Sequence, residues 1–392
     1  MVAPRSPHTG RVTGGVATAD RGRLGELARL FGRLGVVAFG GPAAHIAMMH
    51  DEVVTRRRWL SDDAFVDLIG VTNLIPGPNS TEMTMHVGRE RAGWRGLIVA
   101  GTSFIVPAAT IVLACTVAYV RYGQTPDGQA LLYGIKPVVI AIIGQALVRL
   151  GRTALSAGRL QWVVCASAVA AYLLGGNEIA ILLIASLVVL VWRTVGPAPG
   201  PTSVVAVLLA TEPAASLGLG RILAIFLKIG AVLYGSGYVL LAFLRTDLVV
   251  RLDVLTNQQL LDAVAIGQFT PGPLFTTATF IGYVLAGVPG AVVATIGIFL
   301  PAFCVVAAIG PHVQRLRRRP WTAALLDGVN AAAVGLMAGV MVELTGDALV
   351  DPLTVVLALA TAVVLWRTDL NSAWLVLGGG AVGIAGVATG VV

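Results

Sequence analysis

Charge is scarce in this sequence: Asp, Glu, Lys and Arg together make up 12% of its 392 residues, against 56% in the apolar set. A soluble domain carries about 25% charged residues because water must wet its surface, so half that share leaves most of the surface facing something else. A soluble enzyme and a disordered chain are both excluded. Cysteine is equally sparse. Cys115, Cys165 and Cys304 lie within apolar segments without CxxC or Cys/His spacing, so neither a disulfide scaffold nor a metal site is indicated, and they read as packing residues. No GxxxxGK[ST] phosphate loop, HExxH, GxSxG or CxxCH pattern occurs, and no carboxylate pair sits in an apolar segment. Nothing therefore suggests an enzyme, catalytic residues or a cofactor, and ATP does not drive the chain directly. Residues Met1 to Arg23 have no apolar core of the 7–15 residues a signal peptide needs, so the segment reads as loose and cytoplasm-facing.

What the sequence does have is long apolar runs. Leu97 to Val120, Tyr283 to Gln314 and Leu370 to Val392 contain no Asp, Glu, Lys or Arg, and about 20 apolar residues cross a hydrocarbon core. About six apolar segments per half predict an all-α, polytopic membrane protein of about ten to twelve membrane segments. The 27 Lys and Arg outnumber 20 Asp and Glu. They cluster between apolar runs, as membrane topology demands, so the lipid bilayer and not nucleic acid explains the basic balance.

The chain also matches itself. Phe31 to Gly35 aligns with Phe226 to Gly230, and Pro76-Gly77-Pro78 with Pro271-Gly272-Pro273, at a displacement of 195. After a one-residue slip Gly88 aligns with Gly282, Pro107-Ala108 with Pro301-Ala302, and Asn177 with Asn371. The predicted organisation is a flexible segment 1–23, a first repeat 24–194, a linker 195–220 and a second repeat 221–392. Arg89, Arg91 and Arg95 follow the first Pro-Gly-Pro segment and have no charged counterparts. In the next loop Arg121 stands alone against Arg315, Arg317, Arg318 and Arg319. This reciprocal asymmetry predicts inverted-topology repeats. Inversion needs an odd number of crossings between equivalent points, so one segment per half is re-entrant or wrongly divided. The candidates are the Gly/Pro-broken ones.

Such breaks matter, because in lipid each freed backbone group costs several kcal/mol, about what an unmade hydrogen bond costs, unless protein or a water-filled cavity satisfies it. Each half has two: Phe39-Gly40-Gly41-Pro42 with Tyr234-Gly235-Ser236-Gly237, and the Pro-Gly-Pro pair. A helix restarting at Asn79 presents free N–H groups and a partial positive charge, a seat for an anion. Two such seats facing each other near the midplane are a recurring transporter design. The alternative is that Pro-Gly-Pro only kinks helices for packing. Thr72, Asn73, Gln268 and Thr270 precede the turns, and Asn79, Ser80, Thr81, Thr276 and Thr277 follow them. Their hydroxyls and amides suit an oxyanion, and equally suit local helix capping.

Ionisable residues in apolar surroundings are the other candidates. Arg33 and Lys228 occupy the same position in both copies and could attract an anion. Lys136 could neutralise anionic cargo or reach the interface, and its equivalent is Asn330. Glu82 and His86, four residues apart on one helix face, could carry a proton, with His45 and Glu343 as weaker candidates. Asp67 recurs as Asp262 and could serve the fold.

The combination Phe39 to His45, Arg57-Arg58-Trp59-Leu60, Leu74 to Glu82 and Gly267 to Pro273 resembles the chromate ion transporter family in its bidomain form. The resemblance implies a carrier of the bacterial inner membrane that exports chromate, with sulfate as the look-alike oxyanion. It departs from the motif in the second copy, where Leu274-Phe275 stand for Asn-Ser. The expected function is thus a secondary transporter working by alternating access, driven by an ion gradient or the membrane potential. Arg33 and Lys228 attract the dianion, and Gly40, Gly41, Asn73, Pro76, Gly77, Pro78, Asn79, Ser80, Thr81, Gln268, Pro271, Gly272, Pro273, Thr276 and Lys136 contact it. A carrier of sulfate or another anion and a non-transporting scaffold or sensor are the alternatives. The partners considered are the oxyanion, the bilayer and a second copy of the chain in a homodimer.

Overall fold

A computed structural model describes residues 14–73, 75–195, 218–234, 237–309, 320–368 and 370–389. Most of the linker, the four arginines 315 and 317–319, and Gly235-Ser236 of the second Gly-rich break fall outside them. Among the described residues there are helices and no strands. The first copy comprises α1 (Gly14–Val37), α2 (Gly41–His50) with a π-helical turn (Asp51–Arg56), α3 (Asp62–Thr72), α4 (Asn79–Tyr122), α5 (Pro126–Ala154), α6 (Arg159–Leu173) and α7 (Glu178–Val195). The second repeats the order with α8 (Leu219–Val232), α9 (Leu240–Leu244) with a π-helical turn (Arg245–Arg251), α10 (Asn257–Phe269), α11 (Thr277–Ile309), α12 (Pro320–Ala348), α13 (Pro352–Arg367) and α14 (Ser372–Ala388). Residues 1–13 of the expected loose segment lie outside the described residues, and helix α1 includes residues 14–23. That stretch has no proline to stop a helix from starting upstream.

The helix starts follow from local sequence. Ser61 accepts from the Ala64 N–H at α3, Thr125 from Gly128 at α5 with Pro126 in the first turn, and Thr256 and Gln259 form a capping box on α10. Such caps satisfy donors that a helix start leaves open.

Helix α4 has 44 residues, a length of about 66 Å if straight, twice the hydrocarbon thickness. It is not straight. Ala92 and Gly93 have non-helical angles (φ −147° and 61°), and the chain doubles back there. Gly88 then faces Gly96 so closely that a side chain on either would strike the other's carbonyl. In α11 the same turn recurs at Ala286 and Gly287, with Gly282 facing Gly290. Small residues allow this close approach of backbones.

The two copies run in opposite directions. Equivalent helices α5 and α12 pack so that Gly144 meets Met341 and Gly151 meets Val334, numbers rising in one as they fall in the other. The copies also exchange elements. Helix α14 packs on α5 through Gly134, Gly379 and Gly383, and α7 of the first copy packs on α12 through Ala185 and Gly328. This is an all-α polytopic membrane protein. Four described helices are long and apolar enough to cross a membrane, and three shorter ones are apolar.

Candidate functional site

Two hairpins per copy point their tips inward. In the first copy α1 and α2 fold together around Ala38 to Gly41, held by Arg33 and Glu52 at 3.0 Å and by His45 Nε2, 3.0 Å from the Ala38 carbonyl. The second hairpin pairs α3 with the start of α4 around Pro76-Gly77-Pro78, where Asn79 Nδ2 donates to Asn73 Oδ1 at 2.8 Å. Arg91, at the outer end, bonds Glu26 and lies over the Trp59 ring, so both hairpins open toward the same side.

Both Pro-Gly-Pro segments interrupt the helices, as expected. Gly77 (φ 142°) and Gly272 (φ 95°) hold backbone angles that favour glycine. Each tip packs on the other copy, Gly77 against Ala302 and Gly272 against Ala108. The Gly272 N–H donates to the Ala38 carbonyl at 2.9 Å, joining the tips of hairpins from different copies.

A cavity of about 820 Å³ opens beside these tips. Of the expected contact residues, Gly40, Gly41, Asn73, Pro78, Asn79, Ser80 and Pro273 line it. Pro76, Gly77, Pro271 and Gly272 stand at the tips but outside the lining, because their space is filled by Ala302, Ala108 and the Gly35 carbonyl. Thr276 spends its hydroxyl on the Pro273 carbonyl. Thr81 is buried beside the tip with no partner for its hydroxyl among the described residues. Gln268 lies behind Tyr238, which lines the cavity.

The expected cations are elsewhere. Arg33 pairs with Glu52, and Lys228 with Asp247 at 2.5 Å. Glu52 and Asp247 are equivalent residues, each nearly buried in a π-helical turn, and Arg56 and Arg251 repeat the same pairing one turn on. These are duplicated structural ion pairs: each cation is held by a buried carboxylate, which alone would be costly. Lys136 is likewise held, 3.5 Å from Asp262 and donating to Gln258.

Glu82 is wholly buried in the first turn of α4, over Gly77, and neither carboxylate oxygen has a hydrogen-bond partner among the described residues. His86 Nε2 and His45 Nδ1 are also buried without one. These three do not line the cavity. No group of three His, Cys, Asp or Glu able to hold a metal occurs among the described residues.

Residues passed over in the sequence complete the cavity: Gln145 and Arg149 on α5, Asp327 and Asn330 on α12, and Asn371 capping α14. In the sequence Arg149 is one arginine among several near helix ends. Its signal lay in the repeat, since its equivalent is Glu343.

At the place related by the internal symmetry the described residues form a polar network. The equivalents of Asn330, Thr153 and Arg149 are Lys136, Asp347 and Glu343. There Lys136 is tied to Asp262, Gln258 to the Asp347 carbonyl, Asn257 to the Asp347 carboxylate, and Arg245 to both Asn257 and Glu343. Among the described residues, Arg149, Thr153 and Asn330 thus line a cavity that borders tips of both copies, while their equivalents Glu343, Asp347 and Lys136 are laced into a polar network.

The family model described as "Chromate transporter" matches residues 25–211 and 220–384. The chain is 32% identical over 398 residues, 98% of each sequence, to the chromate transport protein of Cupriavidus metallidurans. It is 33% identical to the chromate transport protein of Pseudomonas aeruginosa over 91% of both. With the probable chromate transport protein of Synechococcus elongatus it shares 31% identity, over 88% of this chain and 90% of that protein. No solved structure matches it.

Proposed function

This chain belongs to the chromate transporter family, and from that premise we propose that it is a secondary transporter of a tetrahedral inorganic oxyanion, chromate first. It works by alternating access in a bacterial inner membrane. The observation that carries the reading is the asymmetry between antiparallel copies: Arg149, Thr153 and Asn330 line a cavity, while their equivalents Glu343, Asp347 and Lys136 are held in a polar network. Inverted repeats that exchange conformations would move that opening across the membrane. The scaffold reading predicts tips wrapped in apolar packing alone, whereas Asn73, Asn79 and Ser80 line an open cavity.

In this reading Gly40, Gly41, Asn73, Pro78, Asn79, Ser80 and Pro273 form the anion's seat. Pro76, Gly77, Pro271 and Gly272 shape the tips that carry it. Arg33, Lys228 and Lys136 hold the scaffold. Export of a dianion from a cell negative inside runs down the electrical gradient, at roughly 2.3 kcal/mol per charge per 100 mV. Glu82 is the candidate for proton coupling, with His86 and His45 beside the same hairpins. The test is chromate uptake into inverted membrane vesicles containing the chain, with sulfate as competitor. Saturable uptake above that of empty vesicles supports the reading, and uptake equal to theirs sinks it. Sulfate that displaces chromate at a far lower concentration makes sulfate the physiological cargo.

A further inference from the structure

Among the described residues one cation lines the cavity. Arg149 lines it from α5, largely exposed, and among the described residues its guanidinium has neither a carboxylate partner nor a side-chain hydrogen bond. Other arginines and lysines near the pathway are engaged: Arg33 with Glu52, Lys228 with Asp247, Lys136 with Asp262, Arg245 with Glu343. The cavity's one carboxylate among the described residues, Asp327, is taken by Arg193 at 2.5 Å. Among the described residues, therefore, the cavity's cation has no carboxylate beside it that is not already paired.

We propose that Arg149 is the specificity residue of the cavity, the fixed charge that favours tetrahedral dianions over monoanions of the same shape. The inference rests on the transport reading above and deepens it. Helix starts and the donors of Asn73, Asn79, Ser80, Asn330 and Asn371 recognise oxygen atoms and hold them in place. The side chains are neutral and a helix start carries only a partial positive charge, so they discriminate less between one ligand charge and two than a full charge does. A guanidinium discriminates more, because Coulomb attraction grows in proportion to ligand charge, and its planar fork fits two oxygens of one oxyanion. The internal symmetry sharpens the assignment. The residue equivalent to Arg149 is Glu343, bound to Arg245 in the polar network, so the two copies carry opposite charges at this position.

The experiment compares sulfate, a dianion, with perchlorate, a monoanion of the same geometry, as competitors of chromate uptake in inverted vesicles. The unaltered protein is expected to respond to sulfate at a concentration at least tenfold below that of perchlorate. In Arg149→Gln the two concentrations converge and half-saturation by chromate rises tenfold or more, whereas Arg149→Lys keeps the preference. Arg149→Cys gives a second reading after folding. Modification by a cationic methanethiosulfonate restores the preference, and an anionic reagent abolishes uptake. An Arg149→Gln protein that keeps the parental preference, or an Arg149→Cys protein indifferent to the sign of the reagent, overturns the inference. If the unaltered protein takes up no chromate at all, the transport reading fails instead, and the two failures are distinct.

Discussion

Lys136 Nζ lies 3.5 Å from Asp262 Oδ1, an ion pair that ties α5 of the first copy to α10 of the second. At the symmetry-related place, beside the cavity, the equivalent residues are Asn330 and Asp67. Among the described residues the lysine belongs to a polar network and the asparagine lines the cavity. Removing one partner of a buried ion pair costs about 3–5 kcal/mol, because the other charge is left stranded. That is enough to reverse a two-state preference.

The exchange Lys136→Asn with Asn330→Lys should therefore move the opening. Single cysteines replacing Thr153, which lines the cavity, and Asp347, its equivalent, report on it. In the parent, Thr153→Cys reacts with a membrane-impermeant thiol reagent and Asp347→Cys is protected. In the exchanged protein the order reverses. Labelling that stays with position 153 after the exchange would show that this ion pair does not set the preference.

Arg33→Ala is expected to leave chromate half-saturation unchanged. Arg33 is mostly exposed, with 57% of its side chain accessible, and Glu52 keeps Arg56 and Arg57 as partners when it is lost. The cost is that of a solvent-screened pair, about 0.2–1 kcal/mol, read as a small fall in melting temperature. Asp247 has only Lys228 and Arg251 as ion-pair partners among the described residues, so Lys228→Ala lowers the melting temperature further. A tenfold rise in half-saturation in either variant would return these residues to the anion's path.

Much of the architecture is legible in the sequence because it is written twice. The scarcity of charge requires the membrane, and the paired Pro-Gly-Pro segments require paired breaks. Inversion is readable from arginines in loops, although four of them fall outside the described residues, and here it is the approach of Gly144 to Met341 that displays it. What the sequence hides is which charges find each other. Arg33 and Glu52 are 19 residues apart and meet only because α1 and α2 form a hairpin, and no periodicity announces a reversal at Ala38. Arg149 is the converse: a helix-end arginine by position, and a cavity residue because α12 and α14 of the other copy leave room beside it.

Gly88 and Gly282 should be equally intolerant of a larger side chain. Each lies against the carbonyl of its partner glycine across the turn, Gly96 or Gly290, and against an alanine, Ala100 or Ala294. A new side chain there must move backbone, and overpacking of this kind costs about 1–3 kcal/mol or more. Gly88→Val and Gly282→Val are expected to lower melting temperature and membrane yield alike. Gly93→Ala, which has open space around it but φ of 61°, should cost less than either. A well-folded Gly88→Val protein with normal yield would contradict the tight hairpin.

Glu82 is the last residue whose role can be separated by experiment. Its carboxylate is sealed from solvent over Gly77 with no hydrogen-bond partner among the described residues, and its equivalent in the second copy is Thr277. A carboxylate kept only for capping would accept backbone N–H groups at the start of α4, and this one accepts none. A bare charge in that place is costly, so the group is suited to gaining and losing a proton as the hairpin tip moves between exposures. Glu82→Gln keeps the shape and removes the titration. It should insert and melt like the parent while chromate uptake loses its response to an imposed pH gradient, measured in vesicles with the membrane potential clamped. A Glu82→Gln protein that still follows the gradient as the parent does would remove Glu82 from the coupling route and leave it a buried packing residue beside Ala302.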